Sequence, residues 1–375
     1  MPMKRDIKQW PPLISLIKGL LHLGHEVYHY SYFCTPETLS DIDCDKLEVV
    51  TASSTPYPGS RPFLVRAKET LKARSGLKKF LNRNRRYDFV WLGEWDYPDI
   101  VKIVRRSGVD CPIVYQLHEY NPRRFPCCQQ VDRVVVPEEN RAWMTYFNAG
   151  IENVPLVLPN IPLNHPREIG DGGDRILSAL KESGKRIVLY QGHMDLRKRC
   201  LIEMVQAIAM TDDQFVLAIL PANLNAEVKS KMEAESKRLG VGDRVIHLET
   251  RTPPAHLGVV GQADIGIGLY RPTTLNQVYC APNRLYEFTG FGIPVILPDF
   301  PGIRKLEASY AGIVTCDPNR PEAIAAAICK LQSPESYRQA CDGAAAFFAE
   351  QGDYLGNLQR VLEQIQSVDA ESLLT

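Results

Sequence analysis

The chain has 375 residues, with 44 basic against 44 acidic side chains, 45% hydrophobic residues and ten cysteines. One hydrophobic core stops growing at about 250–300 residues, so two domains are expected, and zero net charge excludes a global field that gathers nucleic acid. The cysteines are scattered without a C-x-x-C motif, and only Cys127 and Cys128 are adjacent. That excludes a disulfide scaffold and a cysteine zinc site and leaves reduced thiols in a cytoplasm.

Residues 1–9 are polar and do not read as a buried strand. Residues 13–23 are apolar but interrupted by Lys18 and His22, preceded by Pro11 and Pro12 and followed by Gly24. They read as a helix with a proline start and a glycine stop, and not as a signal peptide. No run approaches the roughly 18–20 apolar residues of a membrane span. In the first half, β-branched runs at 26–32, 46–50, 87–93, 112–117 and 132–136 predict strands. Helical patterns at 63–81, 98–106 and 138–148 lie between them. In the second half the predicted strands are 186–191, 215–220, 244–248, 264–269, 293–297 and 312–315. The clearest helices there are 201–210, 223–239 and 321–331. Alternating strand and helix implies parallel sheets covered on both faces. Between the two sets, Pro159, Pro162 and Pro166 with Gly170, Gly172 and Gly173 can continue neither element. The expectation is an α/β protein of two Rossmann-like, doubly wound domains, 1–163 and 164–351, with ligands in the cleft beyond the strands' carboxyl ends.

Three stretches of the second half carry a resemblance. They are Val188–Gly192 followed by Arg197, Lys198 and Arg199; Ala263–Tyr270; and Pro282–Ile296, which contains Pro-Asn-Arg-x-x-Glu and then Gly-x-Pro-Val. In order and spacing they resemble the retaining GT-B glycosyltransferases of the family 4-like group. The first half is similar more weakly, at Tyr115–Glu119 and Pro137–Arg141. The resemblance implies transfer of a sugar from a nucleoside-diphosphate sugar to a hydroxyl acceptor, without metal or other cofactor. It also implies that the final helix, within 352–375, crosses back onto the first domain.

Chemistry fits that implication at several residues. Gly192 lets backbone approach a diphosphate, and Arg199, ahead of Lys198 and Arg197, answers the charge that develops on it; a solvated basic loop is the plainer alternative. The acceptor-only oxygens of Glu287 suit two ribose hydroxyls, with Pro282 and Asn283 opening its helix toward phosphate; a glutamate merely favoured by a helix start is the alternative. Tyr279 stands where many members carry a second glutamate, so Asn276 and Tyr270 of the same loop are the substitutes for donor-sugar contact. His118, at a predicted strand end, takes the position of the family's sugar-contacting histidine, with Glu119 orienting it or meeting the acceptor; a packed strand-end histidine is the alternative. Thr250 and Arg251 fall where the family contacts the base. The predicted strand 215–220 ends in Pro221-Ala222, where relatives often show glycines.

Residues 41–45 alternate Asp41, Asp43 and Asp45, which reads as an acidic turn more than as a divalent-ion site. Residues 63–86 hold nine basic side chains against Glu69, with Ala67, Leu71, Leu77, Phe80 and Leu81 as an apolar stripe. They form either an ordinary domain helix with a basic face or a peripheral contact with the inner membrane face. The acceptor is then a glycan, a lipid-linked glycan or a small molecule, and no nucleic-acid partner is expected. Two other functions stay open: a sugar-nucleotide epimerase or hydrolase of the same architecture, and a non-catalytic partner-binding subunit.

Overall fold

A computed structural model describes residues 11–34, 45–55, 62–83, 86–93, 99–163, 165–166, 172–279 and 282–372, with side chains to residue 366. The predicted absence of a first strand before Trp10, and Asp41 and Asp43 of the acidic run, lie outside the described residues. The chain divides into two compact units. One holds the residues up to Leu163 together with those from Tyr354, and the other spans Asn164–Asp353.

The first unit opens with α1 (Pro11–His22), β1 (Val27–Ser31), β2 (Leu47–Thr51), α2 (Phe63–Leu81), β3 (Val90–Leu92) and α3 (Asp99–Arg105). It continues through β4 (Ile113–Gln116), α4 (Phe125–Cys128), β5 (Arg133–Val136), α5 (Glu139–Ala149) and β6 (Leu156–Val157). β1 and β2 pair in parallel, and β3-β4-β5-β6 form a second parallel sheet. All four residues of β4 are buried, as parallel strands covered on both faces require. Leu77, Phe80 and Leu81 of α2 join Val101 and Val104 of α3 in the core beside them.

The second unit begins with α6 (Arg175–Glu182), β7 (Arg186–His193), α7 (Leu201–Ile208), β8 (Phe215–Asn223), α8 (Ala226–Arg238) and β9 (Val245–His247). Then come α9 (His256–Val260), β10 (Ile265–Ile267), α10 (Leu275–Tyr279), α11 (Asn283–Thr289) and β11 (Val295–Pro298). It closes with α12 (Pro301–Ser309), β12 (Ile313–Cys316), α13 (Pro321–Lys330) and α14 (Pro334–Gln351). Its six parallel strands run β12-β11-β10-β7-β8-β9. Contrary to the expected end at Leu220, β8 continues through Pro221 to Asn223. β9 pairs β8 only as far as Ile219, so Pro221 lies past that neighbour and its missing N–H breaks no ladder bond there. Buried Arg244 binds the carbonyls of Ile208, Asp212 and Phe215 at 2.8, 2.9 and 3.0 Å, closing the end of α7.

The last helix, α15 (Tyr354–Ser372), belongs to the first unit. Tyr354 and Leu358 lie against Gly19 of α1. Leu358, Val361, Leu362 and Ile365 recur at helical spacing and are at most 5% exposed. Each such side chain contributes about 1.5–3 kcal/mol by leaving water. A protein ending at Gly352 is therefore expected to bind a hydrophobic dye and to lose soluble yield. Unchanged dye binding and an unchanged unfolding midpoint would show that the stripe covers nothing essential.

Candidate functional site

Strand order reverses between β10 and β7. The chain builds outward from β7 through β8 to β9, then returns to β10 and builds the other way through β11 to β12. Loops leave such a switch point on opposite faces, opening a crevice at the strands' carboxyl ends. Gln191 and Gly192 occupy that end of β7, and Gly268 follows β10.

Gly192 has φ +141°, and a Cβ there would stand 2.8 Å from Nη2 of Arg284 and 3.1 Å from the Tyr190 hydroxyl. A Cβ at Gly268 would lie 3.6 Å from Nη1 of the same arginine. Arg284, on the first turn of α11, thus projects between the two strand ends, its guanidinium 5.3 Å from the Tyr190 ring centre. One turn on, Glu287 is half-buried. Its Oε2 accepts a hydrogen bond from Gln191 Nε2, its Oε1 is 3.4 Å from His256 Nε2, and its backbone carbonyl is 2.9 Å from His165 Nε2. Three buried polar atoms of these residues have no hydrogen-bond partner: Gln191 Oε1, His256 Nδ1 and Arg284 Nη1. Folded interiors leave few such atoms, because each forfeits its hydration.

The structure brings Gly192 and Glu287 into one site through Gln191 and Arg284. The basic loop lies beside it. The backbone N–H groups of Lys198 and Arg199 donate to the Asp195 carbonyl at 3.2 and 2.8 Å. Arg199 bridges Tyr270 through the backbone, and its guanidinium is 5.6 Å from that ring. Lys198 is exposed, as are Asn283 and Thr250, while Asn276 on α10 is partly covered. Tyr270 is 2% exposed and packs edge-on against Phe300, so its ring is a core element. Arg251 lies 3.3 Å from Glu249 and 3.9 Å from Asp174, where its charge is answered.

His118 and Glu119 follow β4 in the first unit. Glu119 is exposed, whereas His118 is 6% exposed and its carbonyl accepts from Arg141. Burial, then the Arg141 charge, pushes the imidazole down to about 3 against the opposing bond to Asn160, so it is neutral at pH 7. Among the described residues no group of three or more His, Cys, Asp and Glu side chains is arranged to hold a metal ion. Arg284, Gln191, His256 and His165 are site residues that pattern reading passes over. Arg284 stands inside the Pro-Asn-Arg-x-x-Glu stretch and Gln191 directly before the glycine, whereas His256 and His165 carry no local signal.

No family model matches the sequence, and no curated protein matches it. Solved structures do. Alr3699/HepE from Anabaena, in complex with UDP, is 13% identical and superposes over 95% of this chain and 96% of that chain, with a TM-score of 0.70. An α,α-trehalose-phosphate synthase (UDP-forming) from Burkholderia vietnamiensis is 13% identical over 96% of both chains, TM-score 0.67. A glycosyltransferase from Rickettsia africae is 14% identical over 96% of this chain and 94% of that chain, TM-score 0.68. The chain has the α/β fold of the GT-B glycosyltransferases, with two Rossmann-like units.

The buried imidazole makes a pH prediction. The folded pKa of His118 lies below the ordinary value of about 6.5, so the unfolded chain binds a proton that the folded chain refuses. Its contribution is full above about pH 6.5 and is lost as pH falls toward 3, by up to about 1.4 kcal/mol per pH unit. Urea unfolding at pH 7 and pH 5 should show a steeper loss in the parent than in His118→Asn. Equal losses would mean that His118 titrates normally.

Proposed function

We propose that this protein is a metal-independent retaining glycosyltransferase that passes a sugar from a nucleoside-diphosphate sugar to a hydroxyl acceptor in glycan or glycolipid synthesis. The observation that carries the reading is the switch-point site, where Glu287, Gln191 and Gly192 meet in a fold shared with UDP- and UDP-glucose-bound HepE. Held by Gln191, the Glu287 carboxylate is preorganised to accept from two vicinal ribose hydroxyls. Gly192 admits the diphosphate close to backbone, and Arg199 and Lys198 answer the charge that grows on it as the glycosidic bond breaks. Thr250 and Arg251 border the base, and Asn276 and Asn283 border the sugar. The acceptor hydroxyl attacks from the leaving-group face, and the departing phosphate takes its proton. Neutral His118 serves as a hydrogen-bonding group toward the sugar, with Glu119 toward the acceptor.

Product analysis is the test, starting with UDP-glucose and GDP-mannose and with lipid-linked and free glycan acceptors. A glycosylated acceptor with retained anomeric configuration is expected. Free sugar, an epimerised nucleotide or an unconsumed donor would contradict the proposal.

A second surface favours a lipid-linked acceptor at the inner membrane face. No described helix is long and apolar enough to cross a bilayer. On α2, however, Phe63, Leu64 and Leu71 are 73, 79 and 63% exposed beside exposed Lys68, Lys72, Lys78 and Lys79. Leu71, one member of the predicted apolar stripe, faces outward. Glu69, the helix's one acid, accepts from the Tyr32 hydroxyl at 2.9 Å. Apolar side chains amid lysines that no acid opposes among the described residues match an anionic bilayer surface. Cosedimentation with phosphatidylglycerol vesicles is expected, weakened by salt and by Lys68→Glu with Lys72→Glu. Equal sedimentation with neutral phosphatidylcholine, or none with either, would contradict it.

A further inference from the structure

The basic loop 197–199 is the obvious source of charge for a diphosphate, yet the best-placed cation of the second unit lies elsewhere. Arg284 reaches the switch point from α11, between the carboxyl ends of two neighbouring strands, β7 and β10. Both strand ends are glycine where the guanidinium passes. The alternative at Gly192 is a Cβ 2.8 Å from Nη2, and at Gly268 a Cβ 3.6 Å from Nη1 and 2.9 Å from Leu297. At Gly192 a Cβ would meet the guanidinium itself, whereas at Gly268 it would crowd Leu297 and only touch the arginine.

Its charge is unanswered. Among the described residues Arg284 makes no ion pair and no hydrogen bond, although Nη1 is buried. The nearby carboxylate of Glu287 is already engaged by Gln191 and His256. The Tyr190 ring, 5.3 Å away, offers only a π face. Arg284 is half-buried, and its covered Nη1 without a counter-charge is costly unless an anion completes it, while its fork of donors matches phosphate oxygens. By contrast Arg199 is tied to Tyr270 through backbone and ring, and Arg197 and Lys198 are exposed.

We propose that Arg284, lodged between Gly192 and Gly268, is the principal phosphate-binding cation of the second unit, taking the diphosphate of the donor. The inference rests on the nucleotide-sugar reading for the identity of the ligand, but the anion site stands on its own geometry. Arg284 and Glu287 lie one turn apart on one helix, so they divide the nucleotide between them. The glutamate takes the ribose and the arginine takes the diphosphate.

Calorimetric titration with UDP, uridine and inorganic pyrophosphate separates the two halves. Arg284→Met should weaken UDP and pyrophosphate by about 10- to 100-fold and leave uridine within twofold, as loss of charge-assisted bonds predicts. Arg284→Lys should recover part of the loss, and Glu287→Ala should weaken UDP and uridine alike while sparing pyrophosphate. Thermal unfolding of each variant checks that the fold persists, and Arg284→Lys, which keeps charge and bulk, decides the matter if the methionine variant unfolds. UDP binding unchanged in both arginine variants would overturn the assignment and leave the nucleotide reading standing. Pyrophosphate binding that depends on Arg284, in a protein that binds no nucleotide, would uphold the anion site and overturn the nucleotide reading. Failure of the parent to bind either probe would overturn both.

Discussion

The site in the second unit depends on the close approach of Arg284 to the glycine at the end of β7. Where β7 ends, a Cβ at Gly192 would stand 2.8 Å from Nη2 of Arg284, and Gly268 beyond β10 lies in ordinary contact range of the same side chain. Gly192 also holds φ +141°, which L side chains rarely adopt, so the backbone turn and the close approach demand the same residue. The register shift in the β7–β8 pairing falls at the same point, between Gly192 and His193. Because the sheet's order reverses there, this is also where its topology opens a crevice. Geometry, topology and charge coincide within a few ångströms of one arginine.

Around that arginine the polar groups are arranged for a guest. Glu287 is held by Gln191, and Gln191, 6% exposed, still has Oε1 without a partner. A carboxylate oriented by neighbours loses little side-chain freedom when it binds, which favours affinity. His165 fixes the Glu287 backbone from the other side, and its ring packs 4.4 Å from that of Phe291. At the switch point the unpartnered atoms of Gln191, His256 and Arg284 coincide with a crevice that the topology opens, and that coincidence favours a ligand there.

Much of the fold was legible because parallel sheets write themselves as β-branched runs. The segments 112–117 and 132–136 predict β4 and β5 to within two residues at either end, since both strands are buried along almost their whole length. β6 escaped notice because two residues, Leu156 and Val157, make no pattern. The predicted stripe of α2 mixed two faces. Leu71 and Leu77 are six residues apart, which rotates one about 120° from the other, and the inward face is Ala73, Leu77, Phe80 and Leu81. At the site, Glu287 and Gly192 could be named because each sits in a local pattern. Arg284 could not be given a role, because its meaning depends on two glycines far away in sequence that fold beside it. Tyr270, read as a loop residue near the sugar, is a core ring, since the strand-like run before it continues its burial past Leu269.

The account stands or falls on whether the second unit takes a nucleoside diphosphate. Thermal unfolding with a panel of UDP, GDP, ADP, CDP and dTDP measures this directly, because a ligand of the folded state raises stability by about 2.7 kcal/mol at one hundred times its dissociation constant. A saturable rise in Tm with at least one of the five is the predicted result. A folded protein whose Tm none of them moves would contradict it.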